Sequence, residues 1–147
     1  MATALIVYGS TTGNTEWVAK QICEILAREG VEVTVKNVTQ SQTAQLGQYD
    51  LTLLGSSTWG DAEIEFQEDF AGFYEDMGEA NLKEKEVALF GCGDSSYEYF
   101  CGAVTLLEEK VADLGALLVN EPLLIDGEPQ DAKAEIIAWA QEVASHA

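Results

Sequence analysis

The chain has 147 residues, the size of one ordinary domain, and 47% of them are hydrophobic, so residues 1–147 are read as a single domain with a real core rather than as a disordered acidic chain. Seven Lys and Arg against 26 Asp and Glu leave a formal net charge of -19. That balance excludes nucleic acid and anionic membrane surfaces as partners, because phosphate contacts are made by cations, and it makes a basic protein surface the natural complement. Cys23, Cys92 and Cys101 form an odd set with no C-x-x-C pair, which reads as reduced thiols of a cytoplasmic protein. His146 is the only histidine, so no metal site is expected, and neither a secretory signal nor a membrane-spanning run is found.

Short apolar runs alternate with helical patterns from end to end. Ala4 to Tyr8 forms the first strand, and the stripe Val18, Ile22, Ile25 marks the helix after it. Next, Val31, Val33 and Val35 alternate with Glu32, Thr34 and Lys36, the pattern of an edge strand with one wet face. Leu51 to Leu54 and Val87 to Phe90 are apolar throughout and read as central strands covered on both faces. Between them, Phe66, Phe70, Phe73 and Met77 predict a helix; after them, Phe100, Val104, Leu107, Val111 and Leu114 predict another. The fifth strand, Leu117 to Ile125, is broken by Asn120-Glu121-Pro122 and belongs at an edge, since Pro cannot donate to a central ladder. Ile136, Ala140 and Val143 mark the last helix. Three central and two edge strands fit a doubly wound, five-stranded parallel sheet in the order 2-1-3-4-5 with helices on both faces, the α/β flavodoxin-like arrangement. Its ligands sit outside the carboxyl ends of the strands, where the order reverses.

The loops at that edge carry the chemistry. Gly9-Ser10-Thr11-Thr12-Gly13-Asn14-Thr15 is small, hydroxylic and amidic throughout, and runs into a helix start. Backbone N–H groups, hydroxyls and the helix N-terminus together suit a phosphate, although a well-capped helix start would look the same. Asn14 stands where a Walker loop needs Lys, and there is no third glycine for the dinucleotide fingerprint, so a terminal monophosphate remains. Trp59 lies in Gly55-Ser56-Ser57-Thr58-Trp59-Gly60-Asp61, and Tyr97 lies in the loop Gly91 to Cys101. Either aromatic alone would read as a cap on the sheet. Together, beside a phosphate loop, they suit a ligand with a phosphate at one end and a flat ring at the other, which is the shape of FMN.

The segments Ser10 to Thr15, Ser57 to Asp61 and Gly91 to Cys101 resemble those of short-chain flavodoxins from sulfate-reducing anaerobes, and the likeness runs the length of the chain. The resemblance implies a non-enzymatic, low-potential one-electron carrier with non-covalent FMN, cycling mainly between semiquinone and hydroquinone. It implies that Ser10, Thr11, Thr12, Gly13, Asn14 and Thr15 hold the phosphate, and that Ser57 and Thr58 border the phosphate and ribityl chain. Trp59 and Tyr97 would cover the two ring faces. Cys92, Gly93, Asp94 and Cys101 would meet the polar ring edge, with Tyr99 and Phe100 in the same loop. Gly60-Asp61 would be the peptide that flips beside flavin N5, a movement that glycine makes easy by tolerating positive φ. Ala62-Glu63 adds an acid close to it. Basic or positively patched redox proteins of the ferredoxin-using kind, such as hydrogenases and multihaem cytochromes, are the implied partners, and a monomer is the default.

Asp61, Glu63, Asp94, Glu98, Asp126 and Glu128 fall near the expected site edge, where each would repel an anionic reduced ring. One such charge at ~10 Å and an effective dielectric of ~20 costs roughly 1.7 kcal/mol, or about 70 mV for one electron. Rival readings are weaker. A quinone reductase would need a nicotinamide site, and a receiver domain an aspartate where Gly55 ends the third apolar run. A thiol phosphatase would need an Arg following Cys92 or Cys101.

Overall fold

The computed structural model describes residues 2–9, 14–38, 46, 48–59, 65–66, 75, 77, 82–93, 102–126 and 129–145. The strands are β1 (Thr3–Gly9), β2 (Glu32–Asn37), β3 (Leu51–Trp59), β4 (Glu65–Phe66), β5 (Glu86–Gly93), β6 (Leu117–Leu118) and β7 (Leu123–Asp126). The helices are α1 (Asn14–Arg28), α2 (Gly102–Asp113) and α3 (Lys133–Ala144), the last entered through a 3-10 turn at Pro129–Ala132.

The sheet order is β2-β1-β3-β5-β6, with β7 also paired to β5 and every one of these pairings parallel. β6 and β7 are the two halves of the expected fifth strand, so the order is the 2-1-3-4-5 read from sequence. Alternation along β1 explains why the sheet is covered on both sides. Ala4, Ile6 and Tyr8 enter one buried cluster with Val18 and Ile22 of α1 and Ile136 and Val143 of α3. Leu5 and Val7 enter the other, with Val104, Leu107 and Val111 of α2. Fully burying such an aliphatic side chain contributes about 1.5–3 kcal/mol, so these two clusters outweigh the exposed ion pairs Lys20–Glu16 and Arg28–Glu24. Both α1 and α2 stop at a glycine in the left-handed region, Gly30 and Gly115, where a side chain would be strained.

The structure extends and corrects the sequence reading in four places. β3 continues past Leu54 to Trp59, and β5 continues past Phe90 to Gly93, over stretches expected to be loop. Small polar residues hide a strand from a hydrophobic pattern, but the ladder is made by backbone, and it holds through Ser56↔Gly91 and Ser57↔Cys92. Phe66, expected on a helix, lies in β4, paired antiparallel with Thr58. Met77 of the same expected stripe is buried, whereas Phe70 and Phe73 lie outside the described residues. On α3 the apolar face also includes Trp139, only 8% exposed, whose indole N–H donates to the Glu121 carbonyl at 2.7 Å.

Candidate cofactor-binding site

Four strands reach the same edge of the sheet side by side. The register sets Gly9 of β1 beside Ser56 of β3, Ser57 beside Cys92 of β5, and Gly93 beside Asp126 of β7. The chain order reverses between β1 and β3, so this edge is the switch point at which doubly wound sheets bind ligands. The N-terminus of α1 begins at Asn14, shortly after β1 ends at Gly9.

Six of the expected site residues have their backbone placed on elements converging here: Asn14 in α1, Ser57, Thr58 and Trp59 at the end of β3, and Cys92 and Gly93 at the end of β5. Thr15 is fully described. It lies in the first turn of α1, is 1% exposed, and its hydroxyl has no hydrogen-bond partner among the described residues. Ser10, Thr11, Thr12, Gly13, Gly60, Asp61, Asp94, Tyr97, Tyr99, Phe100 and Cys101 lie outside the described residues.

No Lys or Arg stands between Lys36 and Lys83, or between Lys85 and Lys110. The tracts that follow β3 and β5 are therefore free of cations. Glu16, an acid in the first turn of α1, is paired to Lys20 at 2.8 Å. The Glu16 hydrogen bond, helped by its charge, holds the Lys20 ammonium above its ordinary range. An anion at the α1 N-terminus would be held by amides and hydroxyls, with the helix dipole behind them. A buried hydroxyl without a described partner at a helix start, where the nearby Lys20 is already paired to Glu16, suits a phosphate monoester, so the residues present fit a phosphorylated ligand.

Two glycines seat the strand ends. A Cβ at Gly55 would run into the Phe90 ring, reaching its Cδ2 at 2.7 Å. One at Gly91 would meet the Ser56 carbonyl oxygen at 2.6 Å and press on Val104 Cγ2. Composition alone shows two glycines in a loop; their packing partners emerge only from the β3–β5 register. Trp139 was legible in principle, since it follows Ile136 by one helical step. Among the described residues there is no cluster of three or more His, Cys, Asp or Glu placed to hold a metal ion, and no helix is long and apolar enough to cross a membrane.

The family model described as Flavodoxin matches residues 6–139. The chain belongs to the flavodoxin family. It is 48% identical to the flavodoxin of Maridesulfovibrio salexigens over 145 residues, covering 98% of each chain. It is 47% identical to that of Nitratidesulfovibrio vulgaris (Miyazaki F), covering 97% of each. The crystal structure of oxidised Flavodoxin 2 from Bacillus cereus superposes with a TM-score of 0.90 at 38% identity, covering 98% of this chain and 99% of that one. The likeness to short-chain flavodoxins of sulfate-reducing bacteria read from the three loops therefore stands. Flavodoxins bind FMN and carry electrons, so this is an FMN-binding electron carrier.

Proposed function

We propose that the protein is a low-potential, one-electron carrier that works mainly between the semiquinone and hydroquinone levels of its FMN, without an enzymatic reaction of its own. The observation that carries the reading is the convergence of the ends of β1, β3 and β5 with the N-terminus of α1, beside tracts after β3 and β5 that contain no Lys or Arg. FMN supplies the redox chemistry; the chain supplies binding, orientation and electrostatics.

The residue roles are those that the likeness to flavodoxins implies. Ser10 to Thr15 hold the phosphate through amides and hydroxyls. Ser57 and Thr58 border it at the end of β3. Trp59 and Tyr97 shield the ring from water on either side. Cys92, Gly93, Asp94 and Cys101 engage the polar ring edge through backbone groups, with Tyr99 and Phe100 beside them. The Gly60-Asp61 peptide would place its carbonyl to accept a hydrogen bond from the N–H that reduction puts on the ring. Asp61, Glu63, Asp94, Glu98, Asp126 and Glu128 oppose the negative charge that the second electron brings, which lowers the second potential.

The same acids make basic redox proteins the fitting partners, including hydrogenases and multihaem cytochromes of the ferredoxin-using kind, met by a cytoplasmic monomer. Transfer to such a partner slows steeply as salt is added; a flat ionic-strength profile contradicts steering. The direct test is anaerobic stepwise reduction of the FMN-loaded protein, followed by visible spectra. A long-lived blue one-electron form is expected. Passage straight to the two-electron form would move the assignment to an FMN enzyme.

A further inference from the structure

Phe90 and Gly91 are consecutive on β5 and lie opposite Gly55 and Ser56 on β3. At Gly55 the missing side chain leaves space that the Phe90 ring fills. Phe90 is fully buried, and the Trp139 ring packs against it edge-on, with ring centroids 6.4 Å apart and an interplanar angle of 61°. Trp139 is held in turn by its bond to the Glu121 carbonyl. On the opposite face of the sheet, Val104 of α2 packs into the space left by Gly91, and the Ser56 carbonyl closes on the same glycine. The two strands are thus locked from both faces at adjacent registers, immediately before the segments expected to meet the flavin ring.

We propose that Phe90 is a positioning residue for the flavin site. Clamped between Gly55 and Trp139, it sets the separation and register of β3 and β5 at Ser57–Trp59 and Cys92–Gly93, and so the points from which the two ring-facing segments leave the sheet. Phe90 itself contacts the core rather than the cofactor. This inference rests on the proposed placement of the ring at residues 57–61 and 92–101.

Phe90→Leu removes the ring while keeping an apolar side chain, and Gly55→Ala drives a methyl group into it. For Phe90→Leu we expect FMN affinity to fall about tenfold and the gap between the two one-electron potentials to narrow. In the FMN-free protein, amide exchange at residues 57–59 and 92–93 should speed up more than at residues 5–7 of β1. The double variant Gly55→Ala/Phe90→Leu should lose less affinity than the two single changes combined, since the absent ring makes room for the methyl.

A lower thermal midpoint for Phe90→Leu, with affinity, potentials and local exchange all as in the wild type, would overturn the proposal and leave Phe90 a core residue only. Should Gly55→Ala not fold, the affinity, potential and exchange measurements on Phe90→Leu decide alone. Trp59→Ala and Tyr97→Ala test the underlying placement separately. If both retain wild-type FMN affinity and potentials, the ring lies elsewhere and that reading fails, whatever Phe90→Leu does to exchange at the strand ends.

Discussion

The two ends of the sheet are built on opposite principles. At the amino end the strands start from side-chain pins. The Asp50 carboxylate accepts from the Thr3 backbone N–H at 2.9 Å, and the Thr3 hydroxyl accepts from the Asp50 N–H at 3.2 Å. Nearby, the Thr52 hydroxyl donates to the Leu46 carbonyl at 2.8 Å. Arg28 and Lys110, in the last turns of α1 and α2, and Lys83 and Lys85 before β5 place cations toward this end. At the carboxyl end β1 finishes at Gly9 and β5 at Gly93, β3 runs through Ser56, Ser57 and Thr58 to Trp59, and the tracts that follow β3 and β5 hold acids and no Lys or Arg. One end closes the fold with polar bonds and carries cations. The other is the end at which the proposed flavin site lies.

Breaking the core between the two ends has the largest effect. Leu53→Ala removes a fully buried side chain from the middle of β3 and is expected to cost about 2–5 kcal/mol in denaturant unfolding. At the carboxyl end, Asp61→Asn or Asp94→Asn should leave the thermal midpoint nearly unchanged. Each should raise the second one-electron potential by up to about 70 mV, read by spectroelectrochemistry. An unchanged potential in both variants would remove the electrostatic account of that end. At the amino end, Asp50→Ala should show the reverse: roughly 1 kcal/mol less stable, with FMN affinity and both potentials unaltered.

The smallest effect concerns Cys23, on α1 away from both ends. Burial, with Glu24 adding to it, pushes its thiol above the ordinary value of 9.0. The folded state therefore holds this proton longer than the unfolded chain. The resulting contribution is complete below pH 9.0 and is lost as pH rises through the raised value. Peptide mapping after iodoacetamide treatment should show Cys23 alkylated with a midpoint above 9.0. A midpoint below it would mean that α1 opens locally.

How much of this was legible depended on which group carried the signal. β1 and the cores of β3 and β5 were plain, because a strand buried on both faces must be apolar throughout. The final stretches of β3 and β5 were not, because hydrogen bonding between backbones leaves no mark on side-chain polarity. Phe66 was misplaced because a single aromatic at helical spacing fits a stripe as readily as it fits a two-residue strand. For the site, the residue types suggest the chemistry: hydroxyls and amides without a Lys in the loop after β1, and aromatics among small residues. The contact between Phe90 and Gly55 could not be read in this way. It joins residues on different strands, and only their register brings ring and glycine together.

At its outer margin beside β5, the sheet presents two short strands instead of one long one. β6 ends at Leu118 and β7 begins at Leu123. Between them the Glu121 carbonyl is taken by Trp139, and Pro122 has no N–H to offer. Leu117 and Leu124, exposed on the two pieces, would form an adhesive seam if the strand were continuous. The gap denies another chain a template for strand-by-strand growth from this margin, which leaves the electron carrier one fewer route to fibrils.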